Sequence, residues 1–397
     1  MPDFNPILRD EPDIVSGMRD PEQLNSIRII ADVDDEIHRY MPSSAPLTAI
    51  STKIRKTREV SQATFRFLEQ DQYPRRLDVA AASTAGDTTI DVATGQGTRA
   101  AAAYVYQNTR TGEHVRVSSI SSNELTVTRG IGSAAQAMEV GDVLILTRAV
   151  YEDGSDIGTV KTVKEDAEYN YTEIIRTPVS WSGREENIGL YGGGDVESTR
   201  KWVGIEHSKS IEMAYIFGQR HSTTGSNSRQ LTFTGGLKFF IRSNVWDLNS
   251  TIPTERAFME FMEEAMKWGR GGNLGGSRKK WMFCSSRWLT TITSWSMDRL
   301  RVRTMESLGG LDINEYKTPH GTIFLVHNPL FDEVAPADAV IIDMNHFRKV
   351  HFKGRNTKLL KNRQGNGVDG SSEEYLSDVG AQVELEASHA WIKGLQL

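Results

Sequence analysis

Residues 125–154, LTVTRGIGSAAQAMEVGDVLILTRAVYEDG, decide how the chain is read. An apolar run ends at Gly130-x-Gly132-x-x-Ala135, a second begins near Val143, and Glu152 and Asp153 lie about 20 positions beyond the glycines. That is the layout of a dinucleotide-binding fingerprint. Such a site needs parallel strands joined by a crossover of about a dozen residues or more, normally a helix. Only IGSAAQAMEV separates the glycine turn from the next strand, and its ends are consumed by turns, so no such helix fits. The preceding run, EHVRVSSI, reaches Leu125 through a short loop, which makes the first strand part of an antiparallel hairpin. The glycines are therefore read as turning the chain between strands.

Outward from this stretch, residues 77–149 are rich in Ala, Thr, Gly and Val, with short alternating runs punctuated by Thr-Gly, Ser-Ser-Asn and Gly-Asp turns. That texture predicts a small antiparallel barrel or sandwich. It is flanked by two extended runs, IRKTREVSQATFRFLEQDQYP with Phe65 and Phe67, and AEYNYTEIIRTPVSWSG with Tyr169, Tyr171, Ile174, Val179 and Trp181. The two are expected to pair as the sides of one long hairpin carrying the β module as an insertion.

Further out, Asp20-Pro21 with Gln23 opens a predicted helix bearing Leu24, Ile27, Ile30, Val33 and Ile37, closed by Pro42. One apolar stripe on an irregular arm must be covered elsewhere, in this chain or a neighbour. Beyond Tyr191-Gly-Gly-Gly194, read as a joint, Trp202, Ile205, Ile211, Ala214, Tyr215 and Phe217 follow helical spacing in what should be the longest helix. STTGSNSRQ is read as an exposed loop. A denser α/β region follows: a helix with Phe258, Phe261, Met262, Ala265 and Met266, a strand at 281–284, a helix with Trp288, Leu289, Ile292 and Trp295, and strands at TIFLVHN and AVIIDM. The closing runs, FRKVHFKGRNTKLL and DVGAQVELEASHAWIKGL, alternate again and should return to the long helix.

The chain has 397 residues, enough for two or three domains, and a net charge of -6, which argues against a protein whose main task is gripping nucleic acid. One cysteine, Cys284, excludes an intrachain disulfide and any CxxC metal site. No run approaches the ~20 apolar residues of a membrane span, and the N-terminus lacks a signal-peptide pattern. GRGGNLGGSRKK lacks the Gly-Lys-Ser/Thr ending of a phosphate loop and reads as a surface loop, whose Arg270 and Arg278 are available for contacts. The histidines show no HExxH, no G-x-S-x-G elbow is present, and paired carboxylates such as Glu185 and Glu186 read as solvated. No catalytic residue, metal ligand or cofactor is nominated.

In their order, APLTAISTKIRKTREVSQATFRFLEQDQYP, NTRTGEHVRVSSISSNELTVTRGIGS, YEDGSDIGTVKTVKEDAEYNYTEIIRTPVSWSG and LTFTGGLKFFI resemble the major capsid proteins of tailed phages, the Hong Kong 97-type fold. The subgroup resembled carries a β module in its excursion loop. The resemblance spans most of residues 46–397. It implies an α+β fold with an N-terminal arm (1–54), an excursion loop (55–76 and 150–183), the inserted β module (77–149), a peripheral domain with a spine helix (184–225 and 346–397) and an axial domain (226–345). It further implies a shell built from hexamers and pentamers around packaged double-stranded DNA bound without sequence specificity. Portal, separate scaffolding and decoration proteins would be partners; no cofactor, membrane or enzymatic activity is implied. Extended arms that carry aromatics yet cannot fold into one core must bury them on other copies. The residues nominated for subunit contact are Ile27, Ile30, Arg55, Lys56, Phe65, Phe67, Tyr169, Tyr171, Arg270 and Arg278. Two readings compete: a tail or surface adhesin whose β module binds a receptor, and a nucleotide-dependent oxidoreductase built on the Gly130 turn.

Overall fold

The computed structural model describes residues 45–54, 57–155, 158, 161–187, 195–267, 278–296, 302–304 and 313–396. A short helix α1 (Pro46–Lys53) is followed by strands β1 (Thr57–Val60), β2 (Thr64–Glu69), β3 (Arg76–Asp78), β4 (Thr89–Asp91), β5 (Tyr104–Asn108), β6 (His114–Ser121), β7 (Glu124–Thr128), β8 (Val143–Ala149), β9 (Asp166–Tyr171) and β10 (Glu173–Ser182). Next come α2 (Gly183–Glu186), the long helix α3 (Asp195–Phe217), strands β11 (His221–Thr224) and β12 (Gln230–Phe233), and α4 (Leu237–Phe240). The denser region holds β13 (Val245–Thr251), α5 (Glu255–Lys267), β14 (Lys279–Cys284), α6 (Ser286–Ser296), β15 (Val302–Thr304), β16 (Ile313–Lys317), β17 (Thr322–His327), α7 (Pro329–Val334) and β18 (Ala339–Ile342). The chain closes with β19 (Phe347–Phe352), β20 (Lys358–Leu360), β21 (Gly370–Val383) and β22 (Ala390–Leu395).

Two compact units result, Arg66–Tyr169 and the flanking segments. In the first, six antiparallel strands run in the order β3-β8-β5-β6-β7-β4. The two ends of this sheet meet: Val79 bridges Val92, Ala80 N donates to Asp91 O at 2.8 Å, and Ala93 N donates to Asp78 O at 2.9 Å. The sheet is thus a closed barrel, which leaves no open edge. Alternate residues point inward and pack Leu77, Ile90, Tyr106, Val117, Leu125 and Leu144 into its interior. The β6–β7 turn is tighter than the sequence implied, with Ser122 taking a left-handed φ of 56°.

In the second unit one sheet is ordered β1-β19-β21-β10, with β20 also on β21. The expected long hairpin is corrected here. Only β2 and β9 pair as a two-stranded ribbon; the second run divides at Thr172, and β10 pairs antiparallel with β21 from Glu173↔Val379 to Ser182↔Gly370. Residues 57–60, expected within the excursion loop, form edge strand β1, parallel to β19. Helix α3 lies on this sheet, with Arg200 bidentate to Glu373 of β21 at 2.5 and 2.6 Å and His207 bridging Thr177 and Ser377 at 2.8 and 2.7 Å. At its end Gly218 is needed by close approach, since a Cβ would lie 2.3 Å from Ala214 O and 2.5 Å from Thr234 O.

The other sheet of this unit has seven strands, β13-β22-β18-β14-β17-β16-β15. Phe258 and Met262 of α5 and Trp288 and Ile292 of α6 join Met282 and Leu325 in its core. Trp391 of β22 meets Phe217 of α3 and Phe331 of α7, with centroids 5.7 and 6.2 Å apart. STTGSNSRQ is exposed as expected but is a hairpin rather than a loop: β11 and β12 pair, because Gly225 and the left-handed Ser228 form a turn between Thr-rich, β-favouring arms.

Candidate functional site

The Gly130 turn holds an anion, but it is one of the chain's own. Arg129 donates through Nη2 to Glu113 Oε2 at 2.7 Å and through Nε to Oε1 at 3.1 Å. The backbone N–H groups of Gly130 and Gln136 donate to the same carboxylate at 3.3 and 3.0 Å. Both charged side chains are buried, Arg129 5% and Glu113 0% exposed. Burial would raise the Glu113 pKa, but Arg129 and the N–H groups of Gln136 and Gly130 outweigh it and hold the carboxyl below its ordinary range. The backbone N–H groups that a nucleotide loop would aim at a pyrophosphate are committed to Glu113. No helix follows them, and Gly130 and Gly132 take φ of 67° and 74° to shape the loop.

A second buried carboxylate joins three helices. Glu212 of α3 accepts from Leu47 N at 3.3 Å and Thr48 N at 3.1 Å, two of the open N–H groups at the start of α1, and from Asn328 Nδ2 at 2.7 Å. Asn328 in turn caps α7, accepting from Leu330 N at 3.0 Å. Leu47 and Ile50 are fully buried beside it. Burial pushes the Glu212 pKa up to about 7 despite the N–H groups of Thr48 and Leu47 and the Asn328 amide. Neither α1 nor the role of Glu212 is legible from periodicity, because α1 spans only two turns and its N-terminal partner lies 165 residues away.

Catalytic geometry is not assembled in the open groove of about 920 Å³ between α3 and α7. His327 Nε2 lies 2.5 Å from Asp332, but the Ser286 hydroxyl donates to that same carboxylate at 2.9 Å, so the imidazole is not paired with a nucleophile there. Cys284 is buried in β14, and burial raises its thiol pKa. Among the described residues, no group of three or more His, Cys, Asp or Glu is placed to hold a metal, and no helix is long and apolar enough to cross a membrane.

The nominated contact residues separate. Phe65 and Phe67 are 4% and 6% exposed, so they are internal packing of the subunit and not contact surface; Phe65 lies 3.0 Å from where a Cβ on Gly380 would sit. Tyr169 is 37% exposed, Tyr171 is half-buried, and the half-buried Arg278 donates to His320 O at 3.0 Å. Ile27, Ile30, Arg55, Lys56 and Arg270 lie outside the described residues, as do the predicted N-terminal helix and the Tyr191-Gly-Gly-Gly194 joint. Exposed apolar residues that were not nominated include Leu68 and Ile174. Leu68 is 71% and Ile174 53% exposed. The signal was present: each sits at the outward position of a strand whose neighbours two residues away are Arg66 and Arg176.

The model of the SU10 major capsid protein family matches residues 17–396. The chain belongs to this family. It is a phage major capsid protein, a structural component of the virion. A curated relative, the major capsid protein of Pseudomonas phage PaMx41, is 24% identical over 364 residues, covering 88% of this chain and 84% of the relative. A solved structure from Gordonia phage Cozz has a TM-score of 0.51 at 9% identity, covering 92% of this chain and 91% of that one. The capsid structure of cyanophage P-SCSP1u is similar at 8% identity, with a TM-score of 0.46 over 92% of this chain and 93% of that one. The fold of this capsid protein is α+β and of the Hong Kong 97 type. Leu68, Tyr169 and Ile174 are exposed apolar residues of this capsid protein.

Proposed function

We propose that this major capsid protein assembles through hexamers and pentamers into an icosahedral shell around phage double-stranded DNA, held without sequence-specific contacts. In this reading residues 1–54 form the arm, 55–76 and 150–183 the excursion loop, 77–149 an inserted β module, 184–225 and 346–397 the peripheral domain, and 226–345 the axial domain. A portal, a separate scaffolding protein and decoration proteins complete the particle, which forms in the host cytoplasm. Its role is structural rather than enzymatic.

The observation that carries this reading is the β2–β9 ribbon. A two-stranded ribbon is marginal in water, and this one exposes Leu68 and Tyr169. A subunit that leaves one face of such a ribbon uncovered is completed by its neighbours, and many small repeated interfaces make shell closure cooperative. Electron microscopy of the protein expressed alone and with neighbouring phage gene products tests it. Uniform shells or hexameric rings are expected; a strictly monomeric species under every assembly condition refutes it. Removing residues 1–41 is expected to leave a folded subunit that assembles poorly, measured by analytical ultracentrifugation.

A further inference from the structure

Residues 220–242, RHSTTGSNSRQLTFTGGLKFFIR, hold four Lys or Arg and one His and no Asp or Glu, in a chain whose net charge is -6. The fold gathers these cations around aromatic rings where the β11–β12 hairpin joins α4. The Arg220 guanidinium lies over the Phe239 ring at 4.9 Å, with the Phe240 ring 5.9 Å away, and the Arg242 guanidinium lies over the same Phe239 ring at 5.2 Å. Arg242 also donates through Nε to Phe239 O at 3.4 Å. Gly235 leaves the room for this stack: a Cβ there would lie 3.0 Å from the Phe239 ring, 3.1 Å from Arg220 Cβ and 3.2 Å from the Phe240 ring. Lys238 extends the cluster over Phe217 and Trp391 at 5.5 and 5.3 Å and stands 3.9 Å from Asp338. Glu386 accepts from the backbone N–H groups of Arg242 and Ser243 at 3.0 and 3.3 Å. Arg242 and, at the hairpin tip, Arg229 are exposed and have no ion pair among the described residues.

We infer that Arg220 and Arg242, held on the Phe239 ring, clamp the phosphate backbone of duplex DNA, with Arg229 reaching a further phosphate. The inference rests on the DNA-filled shell proposed above and adds which residues meet the duplex. A guanidinium stacked on a ring is fixed in orientation and keeps its N–H edge for bidentate contact with a phosphate. Two guanidinium groups on one ring repel each other, and an anion shared between them relieves that repulsion. A carboxylate of a second copy would serve one guanidinium, whereas a string of phosphates serves several spaced cations together. The Ser and Thr hydroxyls of the hairpin add further phosphate donors, and none of these contacts reads a base. Net acidity over the rest of the chain limits adsorption elsewhere, so contact is confined to local clamps of this kind.

The test titrates the full chain with a fluorescent random-sequence DNA duplex across a salt series and images its shells by electron microscopy. R220Q/R242Q is expected to weaken duplex binding about tenfold for each arginine lost at about 0.1 M salt, and to lower the slope of log K against log salt by about 1 per arginine, equally for all sequences. R242Q alone, at an exposed position, should lower the slope by about 1. Thermal melting and the assembled fraction should stay at the wild-type level in both. K353Q/K361Q, which removes the same charge from exposed lysines elsewhere, should leave duplex binding near wild type. If shells form but the wild-type chain does not bind the duplex, or the arginine variants keep the wild-type slope, or the lysine variant loses as much affinity as R220Q/R242Q, the inference is overturned while the self-assembly reading stands. Failed assembly of R220Q/R242Q with duplex binding intact also overturns it, and assigns the surface to a second copy. A wild-type chain that binds the duplex through these arginines but never forms shells instead refutes the reading beneath it.

Discussion

Glu113 in the barrel and Glu212 at the α1–α3–α7 junction are both buried carboxylates that accept backbone N–H groups, yet they titrate in opposite directions. The difference is one guanidinium. Arg129 neutralises Glu113, whereas Leu47, Thr48 and Asn328 offer Glu212 neutral amide donors. A neutral donor satisfies hydrogen bonding without compensating a buried charge. The barrel therefore depends on a fixed ion pair, and the junction depends on a group whose charge follows pH.

Breaking the ion pair should have the largest effect. Arg129→Met leaves Glu113 buried with only two backbone donors and should destabilise the barrel by about 3 to 5 kcal/mol. All eight tryptophans lie outside Arg66–Tyr169. Urea unfolding followed by far-ultraviolet circular dichroism should therefore show the loss, while tryptophan fluorescence stays near wild type. Coincident shifts in both probes would mean that the two units unfold together.

The pH dependence comes next. The folded pKa of Glu212, about 7, exceeds its ordinary value of 4.5, so the folded state holds a proton that the unfolded state has released. Its contribution is fully present below pH 4.5 and is lost as pH rises to about 7, a span worth about 3 kcal/mol. Glu113, held below its ordinary value, contributes above that value and fades as pH falls. Tryptophan-monitored stability should thus fall between pH 5 and 7 by an amount that Glu212→Gln removes; an unchanged slope in that variant would place the titrating group elsewhere.

The smallest effect is expected at the loop itself. Gly132 has a φ of 74° but open space where a Cβ would go, so Gly132→Ala should cost about 1 kcal/mol from backbone strain alone. Adding NAD should not move the unfolding midpoint of either form, because the loop N–H groups of Gly130 and Gln136 already serve Glu113.

Legibility from sequence followed the range of the physics. Helix α3, the cores of α5 and α6, and the barrel strands were readable because their apolar spacing is local. The partner of β10 was not readable, since β21 begins almost 200 residues later and two adjacent alternating runs look as good a pair. Phe65 and Phe67 alternate at strand period and were nominated for subunit contact, but alternation does not say whether the face they share is covered by the subunit or by a neighbour. Glu113 and Glu212 carried no sequence signal, because a carboxylate in a polar turn or on a helix is ordinarily solvated.

Strand β21 supplies the centre of one sheet of the larger unit, between β10 and β19, and β22 lies between β13 and β18 in the other. Both strands follow all the others in chain order, so the first sheet cannot be completed before residue 383 is made and the second not before residue 395. A chain cut short before residue 370 leaves β10, β13, β18 and β19 without their inner partners. Such a chain would carry open strand edges, the kind of edge that pairs with other chains.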